Sequence, residues 1–244
     1  MKNIKIVIEY DGTNYAGWQI QKNAVTIQEK VEECIKKITG ENITVTGCSR
    51  TDSGVHAKGF VGNFFTESSI PSVKFKDALN AKLPEDIVIL DSQEVSHEFH
   101  SRYNSVGKEY VYTVLNKKER PVLNRRYVYH FYRQLNIDLM KQASKYFLGT
   151  HEFDSFRKKG SSVKTTKRTI YKLDIIKDQE YIKFIISGNG FLYNMVRIMV
   201  GTLLEVGIGK RNPEDIQKII LAKDRTKSGK PVPAIGLCLV DVFY

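Results

Sequence analysis

Between two β-branched stretches lies Gly47-Cys-Ser-Arg50-Thr51-Asp52-Ser53-Gly54-Val55-His56-Ala57, with an arginine two residues ahead of an aspartate. A glycine-bounded segment of this kind presents both side chains at the lip of a sheet. A free aspartic acid has a pKa of about 3.9, so at neutral pH it is ionised by roughly a thousandfold and serves as a nucleophile without base or metal. A guanidinium such as that of Arg50 would hold the carboxylate ionised and aim it. The plainer alternative is an Asx-turn, with Asp52 bonding its own backbone and Arg50 a surface charge. Arg197 stands inside an otherwise almost wholly apolar stretch. A helix apolar on most faces is buried, and a buried unpaired guanidinium costs several kcal/mol, so Arg197 needs a carboxylate or a phosphate unless the helix has a wet edge. A structural ion pair would also satisfy it. Tyr110 and Tyr112, two apart, share one face of a strand. Core packing explains such a pair, and so does a stacking surface for an unpaired base with a phenol able to move protons.

Other chemistries find little footing. His97 and His100 have helical spacing in a region expected to be strand or loop, without a third ligand, so no metal is expected. Walker A, GxGxxG and Gly-x-Ser-x-Gly patterns are absent, which removes support for nucleotide hydrolysis, hydride transfer and serine esterase chemistry. Cys34, Cys48 and Cys238 form no CxxC and read as reduced thiols. No run of about 18 apolar residues suggests a membrane span, and the N-terminus reads as a first strand, so the cytoplasm is the expected compartment.

The 244 residues carry 38 Lys+Arg and 27 Asp+Glu, a net charge of +11. Residues 1–100 hold 11 of the bases and 14 of the acids, so the whole excess lies in residues 101–244. Arg157, Lys158, Lys159, Lys164, Lys167, Arg168 and Lys172 follow one another without an acid. A solvated loop accounts for such a run; a polyanion contact accounts for it better, and nucleic acid is the expected partner because the run lacks the apolar face of a membrane-surface helix.

The elements that must position these residues repeat one order. Ile4, Ile6 and Ile8 alternate as a strand does. Thr26 and Glu29 form a capping box before Ile27, Val31, Cys34, Ile35 and Ile38 at helical spacing, with Gly40 beyond. Strands are expected at 43–48, 59–66 and 87–95, and a short helix from Ser72 to about Leu83. This is β-α-β-β-α-β, the order of a ferredoxin-like unit. After Arg102 come strands at 110–115 and 127–132, a helix from Asn136 through Phe147, a hairpin at 169–176 and 181–187, a long apolar helix at 191–206, a helix capped by Asn212 with Pro213 first, and a strand at 235–242. The expected fold is therefore α+β: two ferredoxin-like domains of related topology, 1–104 and 105–244, with antiparallel sheets and an active-site cleft between them.

Several blocks together resemble the tRNA pseudouridine synthase A family. They are Tyr10-Asp-Gly-Thr-Asn-Tyr15-Ala-Gly-Trp18-Gln19, Arg50-Thr-Asp52-Ser-Gly54-Val-His56-Ala, Phe99-His-Ser-Arg102 with Lys108-Glu-Tyr110-Val-Tyr112, and Phe153-Asp-Ser-Phe156-Arg157. Gly190-Phe-Leu-Tyr-Asn-Met195-Val-Arg197, Glu205-Val-Gly207, Ala222-Lys-Asp-Arg225 and Pro233-Ala-Ile-Gly-Leu237 complete the series. The resemblance implies isomerisation of uridine to pseudouridine in RNA: the N-glycosidic bond breaks, the uracil rotates, and a C–C bond forms through C5. It implies Asp52 as nucleophile, Tyr110 as the active-site tyrosine, Arg197 as the arginine that pairs with the aspartate, and Arg50 as a residue that helps displace the base. Arg50, His56, Arg157, Lys158, Lys159, Arg168 and the stacking Tyr110 are expected at the RNA. The implied substrate is tRNA at positions 38–40 of the anticodon stem-loop, the implied assembly a homodimer, and no cofactor is implied. Ser49 and Ser53 replace the family's usual Gly and Ala beside the Arg-Thr-Asp core, which adds hydroxyls to the loop. A paralogue modifying another RNA site, a non-catalytic RNA-binding protein and a nucleoside hydrolase are the competing readings.

If the charge excess holds phosphates, log affinity for tRNA should fall linearly with log salt, by about 0.7 to 0.9 per phosphate contacted. Filter binding between low and moderate salt reads the slope, and a flat line removes this use of the charge.

Overall fold

The structure, a computed structural model, describes residues 1–158, 160 and 165–244. The chain is a mixed α+β protein of two compact units, Met1–Val106 with Cys238–Tyr244, and Gly107–Leu237. No helix among the described residues is long and apolar enough to cross a membrane.

In the first unit, β1 (Lys2–Tyr10) runs antiparallel between β3 (His56–Thr66) and β4 (Ile87–Val95). Its alternating Ile4, Ile6 and Ile8 are fully buried, as a period of two against a packed face requires. Helix α1 (Ile27–Thr39) starts at the expected Thr26–Glu29 capping box and ends at Gly40, whose φ of 78° stops it. Helix α2 (Phe75–Asn80) follows a turn of 3-10 helix at Ser72–Lys74. The strand expected at 43–48 shrinks to β2 (Thr46–Gly47), paired with β3. The cause is α1. Glu32 accepts the Val45 N–H at 2.8 Å and Gln28 donates to the Val45 carbonyl at 3.2 Å, so helix side chains take backbone groups a ladder would use.

In the second unit, β5 (Gly107–Leu115) pairs with β9 (Tyr181–Gly188), β9 with β8 (Lys167–Asp178), and β8 with β7 (Gly149–Glu152), all antiparallel. Strand β7 falls where sequence reading ends a helix at Gly149; that helix is α3 (Ile137–Ser144), capped by Asn136 and followed by 3-10 helix at Lys145–Phe147. The strand expected at 127–132 contracts to β6 (Tyr129–His130), parallel to β5. Beyond it the Asn116 side chain donates to the carbonyls of Phe131 and Arg133, replacing a ladder with one amide.

Helix α4 (Met195–Gly207) starts four residues later than its apolar run suggests, because Asn194 takes a left-handed φ of 61° and breaks the preceding turn. All but two of its residues, Arg197 and Glu205, are buried. Helix α5 (Asp215–Ala222) begins after a turn at Pro213–Glu214 rather than at Pro213. The last strand, β10 (Leu237–Phe243), returns its residues Cys238 and Leu239 to lie parallel to His56 and Ala57 of β3. Residues 238–244 therefore belong with the first unit, whereas element order places them with 105–244. The Tyr244 hydroxyl, donating to the Ser101 carbonyl at 2.6 Å, fixes that return.

Glu205, in the last turn of α4, accepts bonds from Lys210 and Arg211. Burial raises its carboxyl, but those bonds outweigh burial and hold it below the ordinary value. A folded pKa below the unfolded one stabilises above the unfolded value of about 4.3, and the gain is lost as pH falls through the folded value. Glu205→Gln is expected to cost on the order of 1 kcal/mol at pH 7 and to match the parent in acid below both values. Urea midpoints across pH measure it.

Candidate active site

The expected site residues fall on both units, and each half has its own scaffold. In the first, residues 10–18 lie against residues 51–55 with main chain on main chain. Trp18 donates to the Thr51 carbonyl at 3.3 Å, and Gly54 donates to the Tyr15 carbonyl at 3.2 Å. A methyl added at Gly12 would stand 2.0 Å from the Val55 oxygen, and one at Gly17 2.3 Å from the Thr51 oxygen. Only glycine permits this approach. Buried hydroxyls of Tyr10 and Thr51 meet at 2.8 Å.

The same loop is tied to its other side. Gly17 and Trp18 carbonyls accept the N–H groups of Ile27 and Gln28, so the loop also answers donors at the start of α1. Trp18 stacks on Phe60 at 4.0 Å over Gly47, where any side chain would meet the indole. Tyr15 donates to Asp86; burial first, then that carboxylate, pushes its phenol well above the ordinary range.

On this base Asp52 opens a four-residue turn closed by Val55 N–H to the Asp52 carbonyl at 3.1 Å, with Gly54 at φ 76°. Asp52 is half-buried and Arg50 exposed. The Ser53 hydroxyl donates to the Tyr15 carbonyl at 3.2 Å, an extra tie that alanine would lack. His56 is 6% exposed; its Nδ1 accepts the Gly12 N–H at 3.1 Å and lies 3.1 Å from Asp11 Oδ1. That contact makes it a brace for the loop.

In the second unit, Tyr110 on β5 is 7% exposed, and the Phe191 ring meets it edge-on at 5.2 Å. Tyr112, two residues on, is fully buried and donates to the Pro233 carbonyl at 2.8 Å. Burial pushes its phenol far up, with Tyr129 adding and the Arg197 charge opposing. The pair thus shares a face but not a setting. Arg197, half-buried in the first turn of α4, donates from Nε to the Val232 carbonyl at 2.8 Å, and Val232 N–H returns to the Arg197 carbonyl at 3.2 Å.

Of the basic run, Lys158 bonds the Tyr193 carbonyl through its N–H and holds its ammonium 5.6 Å from that ring. Arg157 pairs with Asp154 at 3.3 Å. Arg168 donates to the Thr165 and Lys167 carbonyls, and burial lowers its guanidinium pKa. Lys159 and Lys164 lie outside the described residues. His97 and His100 bond backbone groups, and no cluster of three metal-ligating side chains occurs among the described residues. Sequence reading missed the segment 228–233 that meets α4; its one signal was the Pro231-Val232-Pro233 triplet.

A family model described as tRNA pseudouridine synthase matches residues 6–104 and 143–244, which include Asp52 and Arg197 but not Tyr110. The chain is 58% identical to tRNA pseudouridine synthase A of Clostridium kluyveri, over 100% of both chains. It is 57% identical to that of Clostridium acetobutylicum and 56% identical to tRNA pseudouridine synthase A 2 of Clostridium perfringens, again over 100% of each.

Gly17 and Gly40 separate backbone strain from collision. Both have positive φ, but nothing stands within 4 Å of a methyl at Gly40. Gly40→Ala should cost about 1 kcal/mol and Gly17→Ala about 3 kcal/mol, as a collision is added to the same strain. Equal urea midpoints for the two variants would contradict the close-approach account.

Proposed function

The chain belongs to the tRNA pseudouridine synthase family, an enzyme that isomerises uridine in tRNA, and we propose that Asp52 is its nucleophile, Tyr110 its proton-handling and stacking tyrosine, and Arg197 its cation. The observation that carries this reading is the Asp52 turn: a carboxylate mounted on a loop whose backbone is held on two sides. Isomerisation asks for one ionised carboxylate, one acid/base group and one cation. Bond breaking at N1 and bond making at C5 leave the oxidation state unchanged, so no cofactor enters. Attack of Asp52 on the sugar and elimination to a glycal both begin from that ionised carboxylate.

The target is assigned to positions 38–40 of the anticodon stem-loop, in the cytoplasm, by a homodimer in which one tRNA contacts both subunits. Arg50, exposed beside the nucleophile, is assigned to displacing the base. Flipping costs a few kcal/mol, which a stacking ring and a fixed cation offset. Arg157, Lys158, Lys159 and Arg168 are assigned to the RNA backbone, and His56 to holding the loop that meets the base. Each unit is read as a variant of the ferredoxin-like order, the first with β2 reduced to two residues.

Asp52→Ala should fold and bind tRNA while pseudouridine formation falls by about 10³-fold or more, the scale of losing a covalent step. Primer extension after carbodiimide treatment maps the product, and undiminished turnover would sink the assignment. Arg197→Ala should lose activity together with some stability; a fully active, fully stable variant removes it from the chemistry. Mapping total RNA from cells lacking the enzyme, before and after incubation with it, checks the nucleotides.

A further inference from the structure

Arg197 is held by a strap whose composition suits that single task. Of residues 231–233 only Val232 has an N–H, since both neighbours are proline. Its N–H and carbonyl both go to Arg197, at 3.2 and 2.8 Å. Proline on each side restricts Val232: the following ring confines it to extended backbone, and the preceding ring has a fixed φ of its own. A bond at Nε fixes the plane of a guanidinium and hence where its terminal nitrogens lie.

The strap is pinned at each end by a fully buried hydroxyl. Tyr112 donates to the Pro233 carbonyl at 2.8 Å. Thr202 accepts the Gly229 N–H at 2.9 Å while donating to the Ile198 carbonyl at 2.8 Å. Between the pins a methyl at Gly201 would stand 2.0 Å from the Lys230 oxygen, so strap and helix touch through their backbones. Upstream, Ser228 Oγ donates to the Ser155 carbonyl, and Ser155 Oγ to that of Ile219 at 2.6 Å, which ties the strap's start to α5.

We propose that the strap 228–233 is a positioning device for the Arg197 guanidinium, and that Tyr112 is the positioning residue that locks it. This rests on the assignment of Arg197 to the reaction. Tyr112 is a positioning residue and not a catalytic one: its hydroxyl is spent on Pro233, and it acts through Val232 on the arginine. The paired tyrosines of β5 therefore divide the work, Tyr110 toward the base and Tyr112 toward the cation.

The test is a double-mutant cycle on pseudouridine formation with Tyr112→Phe, Arg197→Lys and the double variant, together with nitrogen NMR of the Arg197 Nε–H. Lysine keeps the charge but has no Nε–H for Val232. Tyr112→Phe should lower kcat about tenfold, move KM for tRNA by less than about twofold, and broaden the Nε–H signal. In the Arg197→Lys background the same change should lower kcat by less than about twofold. Equal losses in both backgrounds, or an unaltered Nε–H signal, overturn the device while leaving the role of Arg197 intact. Full activity in Arg197→Ala, by contrast, removes the assignment on which the device rests. If Arg197→Lys turns over too slowly to read, the Nε–H signal decides. If Tyr112→Phe does not fold, Pro233→Ala replaces it; freeing the strap at that end should give the same kcat loss and broadening, and unchanged values in both overturn the proposal.

Discussion

Main chain lies directly on main chain at the mounts of both Asp52 and Arg197, and glycine is what lets it. Gly12 and Gly17 bring residues 10–18 onto 51–55; Gly201 and Gly229 bring the strap onto α4. A contact without intervening side chains has no rotamers to populate, so position is transmitted from backbone to backbone with little slack. Side chains on loops are ordinarily less well fixed than those on helices and strands. Here each loop is fastened as firmly as an element, while its irregular path keeps Asp52 half-buried instead of sealed in a core.

Hydrogen-bonded phenols fasten the fold around these backbone contacts. Large upward shifts fall on three phenols doing structural work: Tyr15 against Asp86, Tyr112 against Pro233 and Tyr244 against Ser101. Each is kept protonated over the whole working range and so remains a donor, by burial at all three and by the Asp86 carboxylate as well at Tyr15. These three hydroxyls are fixed pins.

Much of this was legible in the sequence where the determinants are local. The Thr26–Glu29 capping box, the isoleucine alternation of β1 and the hairpin of β8 and β9 depend on neighbours within a few residues, and they sit where their patterns put them. The loop holding Arg50 and Asp52 could be singled out by residue type. What could not be read was whatever depends on a distant partner. Strand β2 is short because α1 takes the backbone groups of Val45; β7 exists because β8 offers an edge; β10 leaves the unit that precedes it to pair with β3. Asn194 ends an apolar run that hydrophobicity alone extends to Phe191, because a left-handed residue is a backbone fact with no hydropathy signature. The partner of Arg197 in its own unit was missed for a related reason. A backbone carbonyl carries no residue type, and only the two prolines around Val232 hinted that its path was constrained.

Charge counting is where composition and structure diverge most. The basic run suggests a uniform positive surface, yet its members are used unequally. Arg157 meets Asp154, Lys172 lies 3.8 Å from Glu109 and 3.7 Å from Asp174, and Arg168 turns its donors onto carbonyls. Lys158 is placed over an exposed tyrosine, and Lys167 is exposed. An arginine bonded to carbonyls keeps its full charge, whereas one paired with a carboxylate contributes little to the field beyond a Debye length of about 8 to 10 Å. Among the described members the positive field is therefore smaller than the net charge implies and more local. Lys158 holds its ammonium 5.6 Å from the Tyr193 ring, and a ring face attracts a cation without cancelling its charge as a carboxylate does.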